Sequence, residues 1–215
     1  MLTHKKFTSR QIMKKIPLIF LILILVANCK ESRILTEKQE SLTYSLINDF
    51  MVDSLDKPDI IAREVMTFKQ KSVDSEDPPP PPGFGFSYSE GLFKELIESK
   101  IIDSLDLKSF REQMIPREQF VLNPGKLKIK TLSIDSLNNY FSKNRDIDIW
   151  EYFRKKYNAR SMLIISLPLF SIDENTILIS VNILCGGLCG GGYIYVFKKL
   201  NGKWATVFSK NTWIS

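Results

Sequence analysis

The sequence predicts an α+β fold, with N-terminal helices followed by a C-terminal four-stranded antiparallel meander. Up to residue 157, apolar residues recur at spacings of three and four, which is typical of amphipathic helices. From Ser161 onward they alternate in short runs separated by turn residues, which is typical of antiparallel strands. With 215 residues and 44% hydrophobic content the chain can bury a core, and we expect helices to cover one face of the sheet.

The first 28 residues are predicted to be an export signal. Five cations, the last of them Lys15, precede an apolar run from Ile16 to Ala27. This run has 12 residues, whereas a helix that crosses the hydrocarbon of a bilayer needs about 20. It is therefore too short for a permanent span and is typical of a signal peptide. Met13 offers a second start, and both starts leave the same mature chain.

Residues 25–29, Leu-Val-Ala-Asn-Cys, resemble the lipobox that the bacterial lipoprotein signal peptidase recognises. Asn28 stands where a lipobox usually has glycine, alanine or serine. The resemblance implies cleavage before Cys29, acyl groups on its thiol and a lasting anchor in the cell envelope. We expect the anchor to lie in the outer membrane, and the sequence leaves open whether the protein faces the periplasm or the outside.

The charge and the histidine content of the sequence argue against several classes of function. The signal holds five of the 30 basic residues and none of the 24 acidic ones, so the mature chain is close to neutral. The high isoelectric point is thus a property of the signal and does not indicate nucleic-acid binding. The one histidine, His4, also lies in the signal, which excludes histidine-based catalysis and histidine metal sites from the mature protein. We predict no catalytic residue, metal or cofactor.

The mature chain is predicted to have three parts. Residues 29–72 are a tether and an amphipathic helix over 36–55, which the run 60–68 is expected to continue past a proline. Residues 73–90 hold five consecutive prolines and are expected to form a stiff spacer, with a ligand for an aromatic-lined groove as the alternative. Residues 91–215 form the α+β domain.

Periodicity and turn residues predict the elements of that domain. Helices are expected over 89–100, 106–114, 135–141 and 147–157, a hairpin over 118–133, and strands over 162–170, 176–184, 193–200 and 203–209. Acidic residues before helical stripes are interpreted as caps rather than as calcium ligands or catalytic acids. They are Asp53, Asp103, Asp135 and the group Asp146, Asp148 and Glu151. The stripe of Ile147, Trp150, Phe153 and Tyr157 is interpreted as core, with a sugar-binding platform as the alternative, and Arg154-Lys155-Lys156 as a solvated face.

Residues 185–192, Cys-Gly-Gly-Leu-Cys-Gly-Gly-Gly, hold five of the ten glycines and lie between two predicted strands. Three residues separate the two thiols, which places them within disulfide reach in an oxidising compartment, so we predict a Cys185–Cys189 disulfide. The spacing is not that of a redox C-x-x-C pair, two ligands are too few for structural zinc, and a phosphate loop would need a following helix.

The motifs of the C-terminal quarter resemble a group of uncharacterised bacterial secreted and lipid-anchored proteins. They are Leu169-Phe170 with Asp173, the Cys185–Gly190 string with Gly192, Gly202-Lys203-Trp204 and the ending Trp213-Ile214-Ser215. The resemblance implies a shared sheet and loop and no activity. Asn201-Gly202-Lys203-Trp204 is also similar to the closing hairpin of cone-shaped domains of the nuclear transport factor 2 type, which implies a pocket.

The leading functional hypothesis is a non-enzymatic envelope module, anchored through Cys29, that binds a protein or another envelope component. The first alternative is a cone-shaped pocket domain that binds or acts on a small ligand with carboxylates or tyrosines. The second is a protein that protects its own cell against a secreted toxin. The sequence does not separate these hypotheses.

Overall fold

A seven-stranded mixed sheet forms the centre of the described part of the protein. The structure, a computed structural model, describes residues 34–52, 55, 57–68, 88–115, 119–144, 146–186 and 189–214. Residues from Leu35 to Ser215 belong to one compact unit. The predicted signal, Cys29 and the proline run lie outside the described residues. Within the described ranges, no helix combines the length and apolar character that a bilayer span requires.

The strands follow the order β2-β1-β3-β5-β6-β7, and β4 pairs separately with β5. β1 pairs in parallel with β2 and β3, and the other pairs are antiparallel. The strands are β1 (Ile60–Ala62), β2 (Lys130–Leu132), β3 (Met162–Ile165), β4 (Leu169–Phe170), β5 (Thr176–Leu184), β6 (Gly190–Leu200) and β7 (Lys203–Ile214).

The α+β class is confirmed, but the prediction of a four-stranded antiparallel meander is wrong. The antiparallel pairs β4–β5, β5–β6 and β6–β7 are part of a larger sheet, in which β3 also pairs with β5 and β1 forms two parallel pairs. The predicted strand 162–170 is divided into β3 and β4. Pro168 lies between them and has no N–H group to donate to a neighbouring strand, which accounts for the interruption.

Two other predicted elements are wrong, and both concern the parallel part of the sheet. The run 60–68 does not continue the first helix, because Ile60–Ala62 is the buried strand β1. A strand that is buried on both faces lacks the alternation that distinguishes it from a helix. The hairpin over 118–133 is also absent from its described residues. There Pro124–Lys126 is a 3₁₀ turn, and β2 pairs in parallel with β1 instead of with its own upstream neighbour.

Five α-helices occur in the described residues, and each begins after a residue whose side-chain oxygen accepts a backbone N–H bond. They are α1 (Glu37–Leu46, continued by a π-helix over Ile47–Met51), α2 (Glu90–Glu98), α3 (Ser104–Gln113), α4 (Ile134–Lys143) and α5 (Ile149–Tyr157). Asp103 and Asp148 are caps, as predicted. For α4 the cap is Ser133 rather than Asp135, and Asp53 lies outside the described residues.

Helices cover both faces of the sheet, whereas the sequence predicted one covered face. On the first face, α4 and α5 pack through Leu137 and Phe153 against side chains of β1 and β3. The strand register places Lys210 on this face as well, where it pairs with Glu95 of α2 at 2.6 Å. On the second face, the ring of Phe50 lies 5.0 Å from that of Phe197, so α1 and its π-helical extension cover β6.

The sheet has two different ends. At the turn end, short turns join β4 to β5 and β6 to β7. At the loop end lie the starts of β1, β2 and β3 and the loop between β5 and β6. β5 has nine residues, so the two ends are separated by about 27 Å. Helix α1 begins at the turn end, because Lys38 in its first turns pairs with Glu174 of the β4–β5 turn at 2.6 Å.

The residues on either side of the proline-rich segment lie next to each other. The rings of Phe68 and Tyr88 are 5.7 Å apart, and Tyr88 also contacts Phe93 of α2. The two described segments on either side of residues 69–87 therefore have neighbouring ends.

Candidate functional site

The predicted pair of cysteines closes the loop between β5 and β6. The Sγ atoms of Cys185 and Cys189 are 2.03 Å apart, the distance of a disulfide bond, and their Cα atoms are 5.2 Å apart. Two backbone bonds brace the loop, from Cys185 N–H to Cys189 O and from Cys189 N–H to Gly186 O. The disulfide is accessible to solvent, because Cys185 is half-buried and Cys189 is exposed.

Helix α5 packs against this loop through Trp150. A Cβ atom on Gly186 would lie 3.1 Å from Cγ of Trp150, so the indole rests on the glycine backbone. Gly186 also has a φ of +86°, which other residues adopt only with strain. The sequence placed Trp150 and Phe153 together in a core stripe. Phe153 is indeed buried, whereas Trp150 is half-buried and joins the helix to the loop.

A second tryptophan lies on a second glycine at the same end of the sheet. A Cβ atom on Gly192 would come within 2.0 Å of Nε1 of Trp213, so only glycine leaves room for the indole. The Trp213 N–H donates to Oδ1 of Asn182 at 3.1 Å, and the amide of Asn182 donates to the sulfur of Met66. The sequence motifs that contain Gly192 and Trp213 are therefore parts of one cluster, which pairing of β6 with β7 brings together.

A cluster of tyrosines holds the ammonium group of Lys156 between α4 and α5. The Nζ atom donates to the hydroxyl of Tyr152 at 2.6 Å, and it lies within 6 Å of the ring centres of Tyr140, Tyr152 and Tyr157. The bond to Tyr152 raises the pKa of Lys156, and burial raises the pKa of the Tyr157 phenol. Sequence analysis missed this cluster because it joins residues of two helices, and it interpreted Lys156 as part of a solvated face.

The buried carboxylate of Glu64 has a structural role. It accepts bonds from the Ser133 hydroxyl at 2.7 Å and from the Ile134 N–H at 2.8 Å. Both donors belong to the first turn of α4, where the helix dipole favours a negative charge. Glu64 therefore fixes the start of α4 on the strand segment that follows β1. It was not singled out from the sequence, because its partners lie far away along the chain.

A shallow groove lies at the turn between α2 and α3. Lys100 and Lys198 line it together with Asp103 and Asp106. Both carboxylates accept backbone N–H bonds, Asp103 within α3 and Asp106 from Ile172, so they serve the local structure. In the part of the chain that the structure describes, no three cysteine, histidine or acidic side chains are grouped so that they could hold a metal ion.

Comparison with known proteins yields no relative from which a function could be carried over. No protein-family model, no curated protein and no solved structure matches the chain.

Proposed function

We propose that this protein is a bacterial lipoprotein that is anchored through acyl groups on Cys29 and binds another component of the cell envelope without catalysis. The observation that carries the proposal is the apolar run of 12 residues that ends just before a cysteine in a lipobox-like context. The folded unit supports it, because this unit starts at Leu35, six residues after Cys29. Acyl groups on Cys29 would therefore be attached outside the folded unit.

A binding role agrees with the way the polar side chains are used. Asp103, Asp148 and Glu64 each accept bonds from the N-terminus of a helix, so their function is to hold the fold. The described residues of the loop between β5 and β6 are half-buried or exposed and are braced by a disulfide and by Trp150, which lowers the entropy lost when a partner orders them. Neither alternative function has a specific observation in its favour among the described residues.

The anchor is tested by isolating the mature protein from cells and measuring its mass and N-terminus. We expect a chain that begins at Cys29 and carries two or three acyl groups, and that moves into the detergent phase on detergent partitioning. The variant C29A should carry no acyl groups, and its N-terminus should not be residue 29. A mature N-terminus at any other residue contradicts the proposal.

The binding role is tested by cross-linking on intact cells, followed by purification of the full-length chain. One envelope component should be recovered repeatedly with the wild-type protein and lost with C29A, which cannot reach the membrane. Repeated recovery of no component, in cells where acylated protein is abundant, contradicts a binding role and leaves the anchor unaffected.

A further inference from the structure

Strand β7 forms one edge of the sheet and pairs with β6 along one side only. It has 12 residues, whereas β2 at the other edge has three. In an antiparallel pair, every second residue of an edge strand points its backbone N–H and C=O groups outward, where a strand from another chain can add. β7 therefore offers the longer of the two edges of the sheet to a partner.

The turn between β6 and β7 decides which backbone groups of β7 point outward. The two-residue turn at 201–202 makes Leu200 and Lys203 exchange backbone hydrogen bonds. Lys199, next along β6, donates its N–H in the opposite direction, to the carbonyl of Asn175 at 2.9 Å. Every second residue of β6 thus turns away from β7, and both bulges insert their extra residue into β7, so the alternation continues along β6. The β7 partners of these residues are Trp204, Thr206, Ser209 and Asn211.

Side-chain amides cover two other stretches of extended backbone in this fold. Gln113 of α3 donates to the carbonyl of Phe170 at 2.8 Å and accepts its N–H at 2.9 Å, so it covers the outer side of β4. Asn48 binds the carbonyl of Lys126 and the N–H of Lys128 in the same way, at 2.8 Å each. Each amide takes the place that a neighbouring strand would have.

The outer side of β7 has no such cover. Trp204 is buried against α1, but Thr206, Ser209 and Asn211 are exposed. Across the residues that the structure describes, no group bonds to the outward N–H and C=O groups of these three. A long edge that is left open is where a strand of another chain adds to a sheet.

The charge of the β6–β7 hairpin selects among the strands that could add. Residues 190–214 contain four lysines, and Asp and Glu do not occur among them. Among the described residues only Lys210 of the four has an ion-pair partner, Glu95. A second copy of β7 would bring the same positive charge and the same two bulges to the edge, and like charges on paired strands are unfavourable. Carboxylates on the added strand are favoured instead.

We propose that the outer edge of β7 binds an extended, acidic segment of another envelope protein, which adds to the sheet as a further strand. The backbone groups of Thr206, Ser209 and Asn211 hold this segment. Lys203 and Lys210 lie opposite Leu200 and Ile194, which share one face of β6, so both lysines attract carboxylates on the same face of the added strand. The proposal rests on the binding role proposed above and names its site and partner class, but it does not depend on the anchor.

The test uses the full chain, purified in nonionic detergent, and a short peptide that alternates threonine with glutamate. All carboxylates of this peptide lie on one face when it is extended. Hydrogen exchange followed by NMR should find the amides of Thr206, Ser209 and Asn211 unprotected in the free protein and protected when the peptide is present. The same peptide with lysine in place of glutamate, or with methylated backbone nitrogens, should protect none of them.

Two variants examine the backbone bonds and the charge separately, with peptide affinity as the measurement. Asn211→Pro removes one outward N–H, which an edge strand tolerates, and should weaken binding about tenfold. Lys203→Glu should weaken binding about fivefold, and Lys108→Glu, at an exposed position of α3, is its matched control and should bind like wild type. Circular dichroism checks the fold of N211P, and K203E decides if N211P does not fold.

Absence of protection by the glutamate peptide, or equal protection by the lysine peptide or the methylated peptide, overturns the proposal. Protection in the free protein that disappears on dilution also overturns it, because the edge would then pair with a second copy.

Cross-linking on intact cells separates this proposal from the binding role. The component recovered with wild type should be lost with N211P, while acylation of Cys29 is unchanged. Equal recovery with N211P overturns strand addition and leaves the binding role in place. Recovery of no component with wild type contradicts the binding role, whereas the exchange experiment still decides on the edge of β7.

Discussion

The two ends of the sheet hold their strands together in different ways. At the turn end, residues close in sequence close the turns themselves, and side chains of α1 and α3 add bonds to the β4–β5 turn. Asp173 accepts bonds from Ser171 and from Asn175, and Asn201 and Gly202 both have the positive φ that suits a two-residue hairpin. At the loop end, side chains from distant parts of the chain close the structure, as Trp150 and Trp213 each lie on a glycine.

This difference determines which substitutions each end can tolerate. A turn made by neighbouring residues depends on their backbone conformation and on one or two local bonds. A closure made by distant residues depends on a space that several elements share. We therefore expect larger losses of stability at the loop end than at the turn end, and four measurements test this.

The largest loss is expected for Gly192→Ala. The added Cβ would meet Trp213 Nε1 at 2.0 Å and Thr212 Oγ1 at 2.5 Å, so the indole must leave Asn182. We expect the free energy of unfolding to fall by about 3 kcal/mol, as in other overpacked sites. Urea denaturation measures it, and Gly91→Ala is the control, because the nearest atom there is 3.9 Å away and the site is helical. In G192A/W213A the loss should be smaller than the sum of the two single losses.

Removing the disulfide should have the next largest effect. The variant C185S/C189S is expected to lose about 2 kcal/mol, because a loop this short gains little from cross-linking. The contact of Trp150 with Gly186 should loosen, so the tryptophan fluorescence should change before global unfolding. Adding a reductant to the wild-type protein should reproduce both changes. A fluorescence spectrum that does not respond to reduction would contradict the prediction, because it would mean that the contact of Trp150 with the loop does not depend on the disulfide.

A pair of glycine substitutions compares the two ends directly. Gly186 and Gly202 have φ angles of +86° and +80°, so alanine meets the same backbone strain at both, about 1 kcal/mol. Only at Gly186 does the new methyl group also meet an indole, whereas nothing lies within 4 Å at Gly202. G186A should therefore destabilise the protein more than G202A, as measured by urea denaturation. Equal losses would show that Trp150 moves away from the new methyl group without a loss in the free energy of unfolding.

The smallest effect concerns the pH dependence at the turn end. The hydrogen bond from the Ser171 hydroxyl lowers the pKa of Asp173 below its ordinary value. A carboxyl with a lowered folded-state pKa contributes stability above its unfolded-state pKa of about 3.9, and this contribution is lost as the pH falls through the folded-state value. NMR titration should find the low pKa in the wild type. In S171A it should return towards the ordinary value, and acid should destabilise this variant less than wild type.

The prediction of the fold from sequence succeeded where the pattern was local. The alternation from Thr176 to Leu184 gave β5 with its observed bounds, and the Asn201-Gly202 turn lies where it was predicted. It failed for β1, since its three buried residues show no period, and for the pairing of β2, since its parallel partner is remote in sequence. The tyrosine cluster around Lys156 was also missed, because Tyr140 comes from a different helix than Tyr152.

By itself, the sequence determined the α+β class, the turns before β5 and β7, the caps at Asp103 and Asp148, and the nearness of Cys185 to Cys189, because each depends on residues a few positions apart. Tertiary structure alone decided the mixed order of the strands and the contact of Trp213 with Gly192. It also decided that the start of α1 and the disulfide loop lie at opposite ends of the sheet. These features arise when strands pair across long stretches of chain, and no local preference encodes which distant partner a strand will find.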